Sequence, residues 1–270
     1  MRALRVGVLL ALAHLHARTI SRVPRVAAHR STTNTCLTST ASLAPGRTMS
    51  TRDAKRRSRM PDAVLIITAD DYGYAPGYNR GILEAADARA VDAVSAMVGR
   101  RWCDPAPLVA TGTEVGLHLE LPGPDLDAQL ARFEELFSRP PDYLDGHHHC
   151  HARPEVTETV ARTAAQRELP VRSVDSGHRH RLRASRAITQ DLLLGRIRPS
   201  SPVLPTPLAA DGALPSGVTE WMVHPGYRDA GAGSSYDAAR EEDLELVLGI
   251  SAQLRQRVRR ETHRQALQPR

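Results

Sequence analysis

The feature that most constrains the fold is a run of consecutive apolar residues, Val64 to Ile67, followed by Thr68. The run has the length of a strand rather than of a helix. It lacks polar alternation, which is typical of a strand covered on both faces. Strands of this kind belong to parallel sheets, whose strands are joined by crossover connections that usually contain a helix. The run therefore predicts an α/β fold if helices alternate with further strands.

Such an alternation continues along the chain. Further strands are predicted at 93–98, 114–121, 143–144, 171–174 and 219–223, and the strand at 114–121 alternates polar and apolar residues. Helices are predicted at 81–90, 126–137, 154–167, 188–194 and 237–259. The order of these elements predicts a mostly parallel sheet or a barrel.

The first 60 residues differ from the rest in composition. They contain 12 Lys and Arg but only one acidic residue, so that residues 61–270 carry a net charge of −5 although the whole chain carries +6. We interpret 1–60 as a disordered basic extension, with a targeting segment or a start codon assigned too early, before Met60, as alternatives. The positive charge therefore gives no argument for nucleic-acid binding by the folded part.

The remaining composition fixes the expected boundaries and compartment. The long apolar run from Val6 to Leu15 is too short to span a bilayer, so no membrane partner is expected. The three cysteines have no paired spacing, which is typical of a reducing compartment and predicts a cytoplasmic protein. We expect one folded domain at 61–262 and a C-terminal tail at 263–270.

Polar side chains stand where four predicted strands end. These are Asp70-Asp71, His118, the cluster after Tyr143-Leu144, and His224. In parallel α/β folds the reactive groups collect at the carboxyl ends of the strands. Taken singly, the two aspartates could cap a helix and His118 could be a structural residue, but their shared placement favours a site.

The sequence from Asp145 to His151 (DGHHHCH) is the strongest single motif. In an extended chain His147, His149 and His151 would lie on one side and His148 on the other. Four histidines within five residues of a domain favour metal binding, with Cys150 as a small buried neighbour. Imidazole suits zinc and carboxylate suits magnesium, so either Mg²⁺ or Zn²⁺ remains open.

These motifs resemble the YdjC/ChbG-like family of carbohydrate deacetylases. The matching segments run in order along the chain: Ile67 to Gly73 (ITADDYG), Asn79 to Ile82 (NRGI), Val115 to His118 (VGLH), Leu144 to Pro154 (LDGHHHCHARP) and Glu220 to Gly226 (EWMVHPG). The resemblance implies an irregular TIM-like (β/α) barrel with mostly parallel strands. It also implies removal of the N-acetyl group from a sugar such as a chito-oligosaccharide.

The same resemblance implies a role for each matched residue. Asp71, His118 and His147 would hold one divalent metal ion. Asp70 would be the general base, and His224 the acid or oxyanion stabiliser. Supporting or substrate-facing positions would be Asp145, His149, His151, Asn79 and Arg172. The partner would be a small acetylated carbohydrate, and a homodimer is left open.

Two other functions are compatible with the residues alone. A phosphoesterase on a similar barrel would need more carboxylates at the strand ends, because such enzymes often use two metals. A metal-binding protein without catalysis would explain the histidine cluster but would leave Asp70 without a role.

Overall fold

The computed structural model describes residues 63–123, 125–196, 200–201, 204–210 and 212–267. The predicted extension at 1–60 and residues 268–270 of the predicted tail lie outside these ranges. The strands are β1 (Ala63–Tyr72), β2 (Ala93–Ala96), β3 (Glu114–Leu119), β4 (Leu144–Gly146), β5 (Leu192–Gly195), β6 (Gly217–Val223) and β7 (Arg259–Arg260). The helices are α1 (Pro76–Asp87), α2 (Pro105–Ala110), α3 (Leu126–Phe137), α4 (Pro154–Arg167), α5 (Ser176–Ala184), α6 (Arg240–Arg257) and α7 (His263–Leu267).

The strands form one parallel sheet in the order β4-β3-β2-β1-β6-β5, and β7 pairs with the start of β1. The sheet curls into a half-barrel surrounded by helices, which confirms the predicted irregular, TIM-like barrel. The run at 64–68 lies in β1, where every residue from Val64 to Tyr72 is buried, as expected for a strand covered on both faces. β1 therefore holds the centre of the sheet.

Helix α1 packs very closely on the segment that follows β6. A Cβ built on Gly81 would lie 2.5 Å from the Cα of Gly226, so a side chain at position 81 would force the two segments apart. The helix begins at Pro76, whose fixed φ angle suits the first turn. This contact joins the NRGI and HPG segments of the sequence and fixes the backbone just after His224.

Two predicted elements differ in the structure. Val171 to Val174 form no strand, and only Val171 bridges to Leu144. The helix predicted at 188–194 is wrong, because its apolar part, Leu192–Gly195, pairs with β6 as an edge strand. The helix of this region is α5, which begins after Asp175, whose side chain accepts a hydrogen bond from the backbone N–H of His178.

The histidine cluster is not extended, so the predicted two-sided arrangement is wrong. His147–Ala152 form a 3-10 turn in which His148 and His149 have φ angles of 51° and 54°. The alternation expected in β3 is likewise absent from its burial, because all six residues of the strand are buried. The first error comes from the left-handed backbone at His148 and His149. The second comes from burial of β3 on both faces, which a two-residue period does not describe.

The chain closes with α6, which is shorter than predicted, then β7 and α7. His263, the first residue of α7, is only 2% exposed although the sequence assigns it to a tail. Within the described residues no helix is both long enough and apolar enough to cross a bilayer.

Candidate metal centre

The four groups predicted at strand ends meet at the carboxyl edge of the sheet. Asp70 and Asp71 come from β1, His118 from β3, His147 follows β4, and His224 follows β6. All five line one cavity of about 230 Å³. The cavity is the expected place for a site in a parallel α/β fold.

Asp71 is the point on which two histidines converge. Its Oδ1 lies 3.2 Å from His118 Nε2 and 2.9 Å from His147 Nδ1. One ligand atom from each of the three residues lies within 4.8 Å of the others. Asp71 has a φ of 74°, in the left-handed region that residues other than Gly and Asn seldom adopt. Backbone strain at this position is typical of a functional site.

Contacts behind the three residues fix the direction of their ligand atoms. Asp145 Oδ1 lies 2.7 Å from His118 Nδ1, and Asp145 Oδ2 accepts a 2.6 Å hydrogen bond from Ser95. With its Nδ1 bonded to a carboxylate, His118 directs its Nε2 toward Asp71, an arrangement common among metal-binding histidines. Arg240 donates to the other oxygen of Asp71. Burial raises the pKa of Asp71, but Arg240 and the two histidines together outweigh burial and hold that pKa well below its ordinary value.

Asp70 does not face the same partners as Asp71. Arg172 Nη1 and Nη2 donate to its two oxygens at 2.7 and 2.8 Å, and both side chains are almost wholly buried. Burial raises the pKa of Asp70, but the guanidinium outweighs burial and lowers that pKa below its usual value. Asp70 is therefore an ionised carboxylate in the cavity wall.

His224 is the least tethered side chain of the group. Its ring lies 4.8 Å, between centroids, from Tyr236, and its Nδ1 has no hydrogen-bond partner among the described residues. Burial lowers its pKa below the ordinary value, so that the ring is neutral at neutral pH. A neutral imidazole with an open nitrogen can take up a proton and release it readily.

The supporting positions implied by the resemblance are distributed differently. His149 lines the cavity, and burial lowers its pKa to about 4. His151 lies behind the cavity wall, with Nε2 2.9 Å from the carbonyl oxygen of Arg172. Asn79 is away from the cavity: it accepts from the Gly73 N–H and donates to the Trp102 carbonyl, which fixes the loops after β1 and β2.

The donor set of Asp71, His118 and His147 fits a divalent ion. Two imidazole nitrogens and one carboxylate oxygen, with open cavity beside them, match the three protein ligands of catalytic zinc sites. A second cluster of Asp70, His118 and Asp145 also brings three donor groups together. There Arg172 already contacts both carboxylates, at 2.7 to 2.8 Å, and supplies the positive charge. The cavity-facing cluster is therefore the candidate metal centre.

Sequence reasoning missed several residues that support the site. Three of them contact a group named above: Arg240 contacts Asp71, Glu220 contacts Arg172, and Ser95 contacts Asp145. The fourth, Tyr236, lines the cavity. Arg240 begins α6, where an arginine has no periodicity to distinguish it from the other 35 basic residues. Glu220 lies inside a strand that reads as apolar, and a buried acid in such a strand was the available signal.

Comparison with known proteins identifies the family of this chain. The YdjC-like protein family profile matches residues 64–127 and 123–260. The chain belongs to this family. Proteins with similar sequences include a chitooligosaccharide deacetylase of Escherichia fergusonii, 30% identical over 149 residues, and one of Salmonella paratyphi B, 32% identical over 151 residues. Each alignment covers 41% of this chain and 59% of the relative.

Solved structures share the fold at lower identity. An Enterococcus faecalis protein provisionally assigned to cellobiose-phosphate cleavage superposes with a TM-score of 0.63, at 21% identity, over 77% of this chain and 100% of its own. An uncharacterized Agrobacterium tumefaciens protein gives a TM-score of 0.50 at 13% identity, over 75% of this chain and 87% of its own. At these identities the likeness concerns the fold alone.

Proposed function

We propose that this YdjC-like protein is a metal-dependent carbohydrate deacetylase that hydrolyses the N-acetyl group of an acetylated, chito-oligosaccharide-like sugar. The observation that carries the proposal is the convergence of Asp71, His118 and His147 beside the ionised Asp70 in one cavity. The deacetylase names of the relatives support the substrate class, although the alignments span less than two thirds of those proteins.

Asp71, His118 and His147 would hold the ion. When bound, a divalent ion supplies Lewis acidity, which polarises an amide carbonyl and makes water more acidic. Asp145 would keep the His118 ring turned so that Nε2 faces the ion, and Arg240 would keep Asp71 Oδ1 facing it. Two imidazoles favour zinc, and the carboxylate leaves magnesium open.

Asp70 would act as the general base. Asp70 is next to Asp71 in the chain, but its carboxylate is held by Arg172 and is not one of the three candidate metal ligands. It is therefore available to accept a proton from the attacking water. The lowered pKa keeps Asp70 ionised over the neutral range, at the cost of weaker basicity. Arg172 would thus orient the base from inside the protein and would not contact the substrate.

His224 would supply a proton to the leaving amine. Its side chain lines the same cavity as Asp70, and its pKa is lowered by burial. The neutral ring would first take up a proton, such as the one that Asp70 accepts from the attacking water, and would then be a strong acid toward the departing nitrogen. His149, also in the cavity wall, is placed to contact the sugar or its acetyl group.

The deciding experiment measures acetate release from a panel of N-acetylated sugars, with the protein loaded with Zn²⁺ or Mg²⁺ and with a chelator present. We expect release with metal and none after chelation. If elemental analysis finds the protein loaded with metal and no sugar of the panel releases acetate, the proposed function is refuted. That result would favour a phosphoesterase, which a panel of phosphate esters would detect, or a non-catalytic metal-binding protein.

Two variants separate metal binding from catalysis. Asp70→Asn should keep its metal and lose most turnover, about 100-fold or more, because it removes a positioned base. Asp71→Ala should lose the metal itself. If Asp70→Asn releases acetate as fast as the parent, Asp70 is not the base; if Asp71→Ala keeps its metal by elemental analysis, the ligand set is wrong.

A further inference from the structure

A line of buried charged side chains runs from the candidate base to the opposite end of the sheet. Asp70 contacts Arg172, Arg172 contacts Glu220, Glu220 contacts His263, and His263 contacts Glu114. Each of the five is less than 10% exposed. The line passes through His263, the first residue of α7, a helix that provides nothing to the cavity itself, and it ends at Glu114, the first residue of β3.

Arg172 has more acceptors around it than it can fully serve. Its Nη2 lies 2.8 Å from Asp70 Oδ1, 2.8 Å from an oxygen of Asp145 and 2.8 Å from Glu220 Oε1, but a guanidinium Nη carries only two hydrogens. Its Nε donates to Glu220 as well, at 2.9 Å. The three carboxylates therefore compete for one cation.

The competition depends on what else each carboxylate can bind. Asp145 also receives the ring of His118 and the hydroxyl of Ser95. Glu220 has no cation besides Arg172 and His263 among the described residues, and its Oε2 has no hydrogen-bond partner there. The charge of His263 therefore determines how strongly the Glu220 carboxylate attracts the guanidinium of Arg172.

His263 is built to be a cation. Its Nδ1 lies 2.9 Å from Glu114 Oε2, and its Nε2 lies 3.5 Å from Glu220 Oε1, the distance of an ion pair rather than of a close hydrogen bond. The remaining titratable neighbour, Tyr143, stacks on the ring with centroids 3.8 Å apart. Burial alone would lower the pKa of His263, but the two carboxylates outweigh burial and raise that pKa to about 9.

We infer that His263 is a positioning residue for the deacetylase base: its positive charge partly neutralises Glu220, which leaves the guanidinium of Arg172 to bind both oxygens of Asp70. This inference rests on the proposed function. Without the charge on His263, Glu220 would draw Arg172 toward itself, and Asp70 would lose one of the two bonds that fix its orientation. The effect would fall on the chemical step rather than on substrate or metal binding.

A double-mutant cycle between His263 and Glu220 tests the inference. His263→Gln should lower kcat about tenfold with KM and metal content unchanged, because it removes the charge. In a Glu220→Gln background the same His263→Gln change should cost less than about twofold, since no carboxylate then competes for Arg172. Arg264→Gln is the matched control, because Arg264 lies on the same helix but pairs with Asp142; it should behave like the parent.

Equal losses from His263→Gln in both backgrounds would overturn the inference and leave His263 as a packing residue. No loss in either background would overturn it too. His263→Phe, which keeps a ring over Tyr143 without the charge, is the second variant if His263→Gln fails to fold, and it should show the same dependence on Glu220.

A measurement independent of activity keeps this inference separate from the proposed function. Nitrogen-15 NMR of the imidazoles at pH 8, assigned with His263→Gln, should show His263 protonated on both nitrogens in the parent and more weakly protonated in Glu220→Gln. A neutral His263 in the parent would overturn the inference whatever the activity. Absence of acetate release from the parent, with the NMR result as expected, would instead refute the deacetylase proposal.

Discussion

Replacing Arg172 with Gln should destabilise the protein more than any single change at the surface. The side chain contacts Asp70, Asp145 and Glu220 in the interior. Asp145 keeps His118 and Ser95 as partners after the change, and Glu220 keeps His263, but Asp70 loses the guanidinium that binds both of its oxygens. The loss is therefore that of one buried carboxylate without a counter-ion, about 3–5 kcal/mol.

Equilibrium unfolding in urea, monitored by circular dichroism on metal-free protein in a chelator, measures this loss without a contribution from the ion. The penalty should shrink in Asp70→Asn, because removing both members of a buried pair is far less costly than removing one. It should also shrink as the pH falls, since an unpaired buried Asp70 has a raised pKa and becomes neutral sooner.

Two results would refute this reasoning. One is a loss of less than about 1 kcal/mol for Arg172→Gln, which would mean that water or a neighbouring group replaces the guanidinium at little cost. The other is an equal loss in the Asp70→Asn background, which would place the effect in packing rather than in the charge of Asp70.

Two further predictions concern the buried support of the site. Burial lowers the pKa of His263, but Glu114 and Glu220 outweigh it and raise that pKa from 6.5 to about 9. The protonated ring therefore stabilises the fold fully below pH 6.5, and this stabilisation is lost as the pH rises through 9, so the free energy of unfolding should fall by up to about 3 kcal/mol over that range. A His263→Gln variant whose free energy of unfolding falls equally steeply with pH would contradict this prediction. Gly116→Ala would bring a Cβ within 2.4 Å of the Tyr143 ring and should lower the free energy of unfolding by about 1–3 kcal/mol, measured by thermal unfolding. The control is Gly249→Ala, at a helical position with nothing within 4 Å, which should be neutral or stabilising. Equal melting temperatures for the two variants would contradict the packing argument.

Local signals in the sequence were enough for the central elements of the fold. Consecutive apolar residues identified β1, and the boundaries of α3 and α4 were predicted as found because apolar residues at helical spacing mark the first and Pro154 opens the second. The edge strand β5 was mistaken for a helix, since a short apolar run such as Leu192 to Leu194 is compatible with either until its pairing partner is known.

The candidate site was predictable only where a residue type carries its own chemical signal. Asp71, His118 and His147 stand in motifs and do converge on one point of the structure. Arg240 binds its partner only after distant segments pack together, and nothing in its local sequence sets it apart, whereas Glu220 carried only the weak signal of an acid inside an apolar strand. Which charged side chains are buried together depends on the tertiary structure. Their partners therefore cannot be found from the spacing of residues in the sequence.

The pairing of β1 has a consequence for how the protein is made. Val64 pairs with Val218 and with Arg259, a residue 195 positions further along the chain. At a synthesis rate of roughly 5–20 residues per second, β1 leaves the ribosome about 10–40 seconds before its last partner exists. β2 is made early and can cover one edge of β1, but the other edge of this apolar strand, which bears two aspartates, stays open until β6 exists. Non-local pairing of this kind also folds slowly. The nascent chain is therefore a natural client for a chaperone, and the cavity around Asp71, His118 and His147 is complete only after Arg240 has been made.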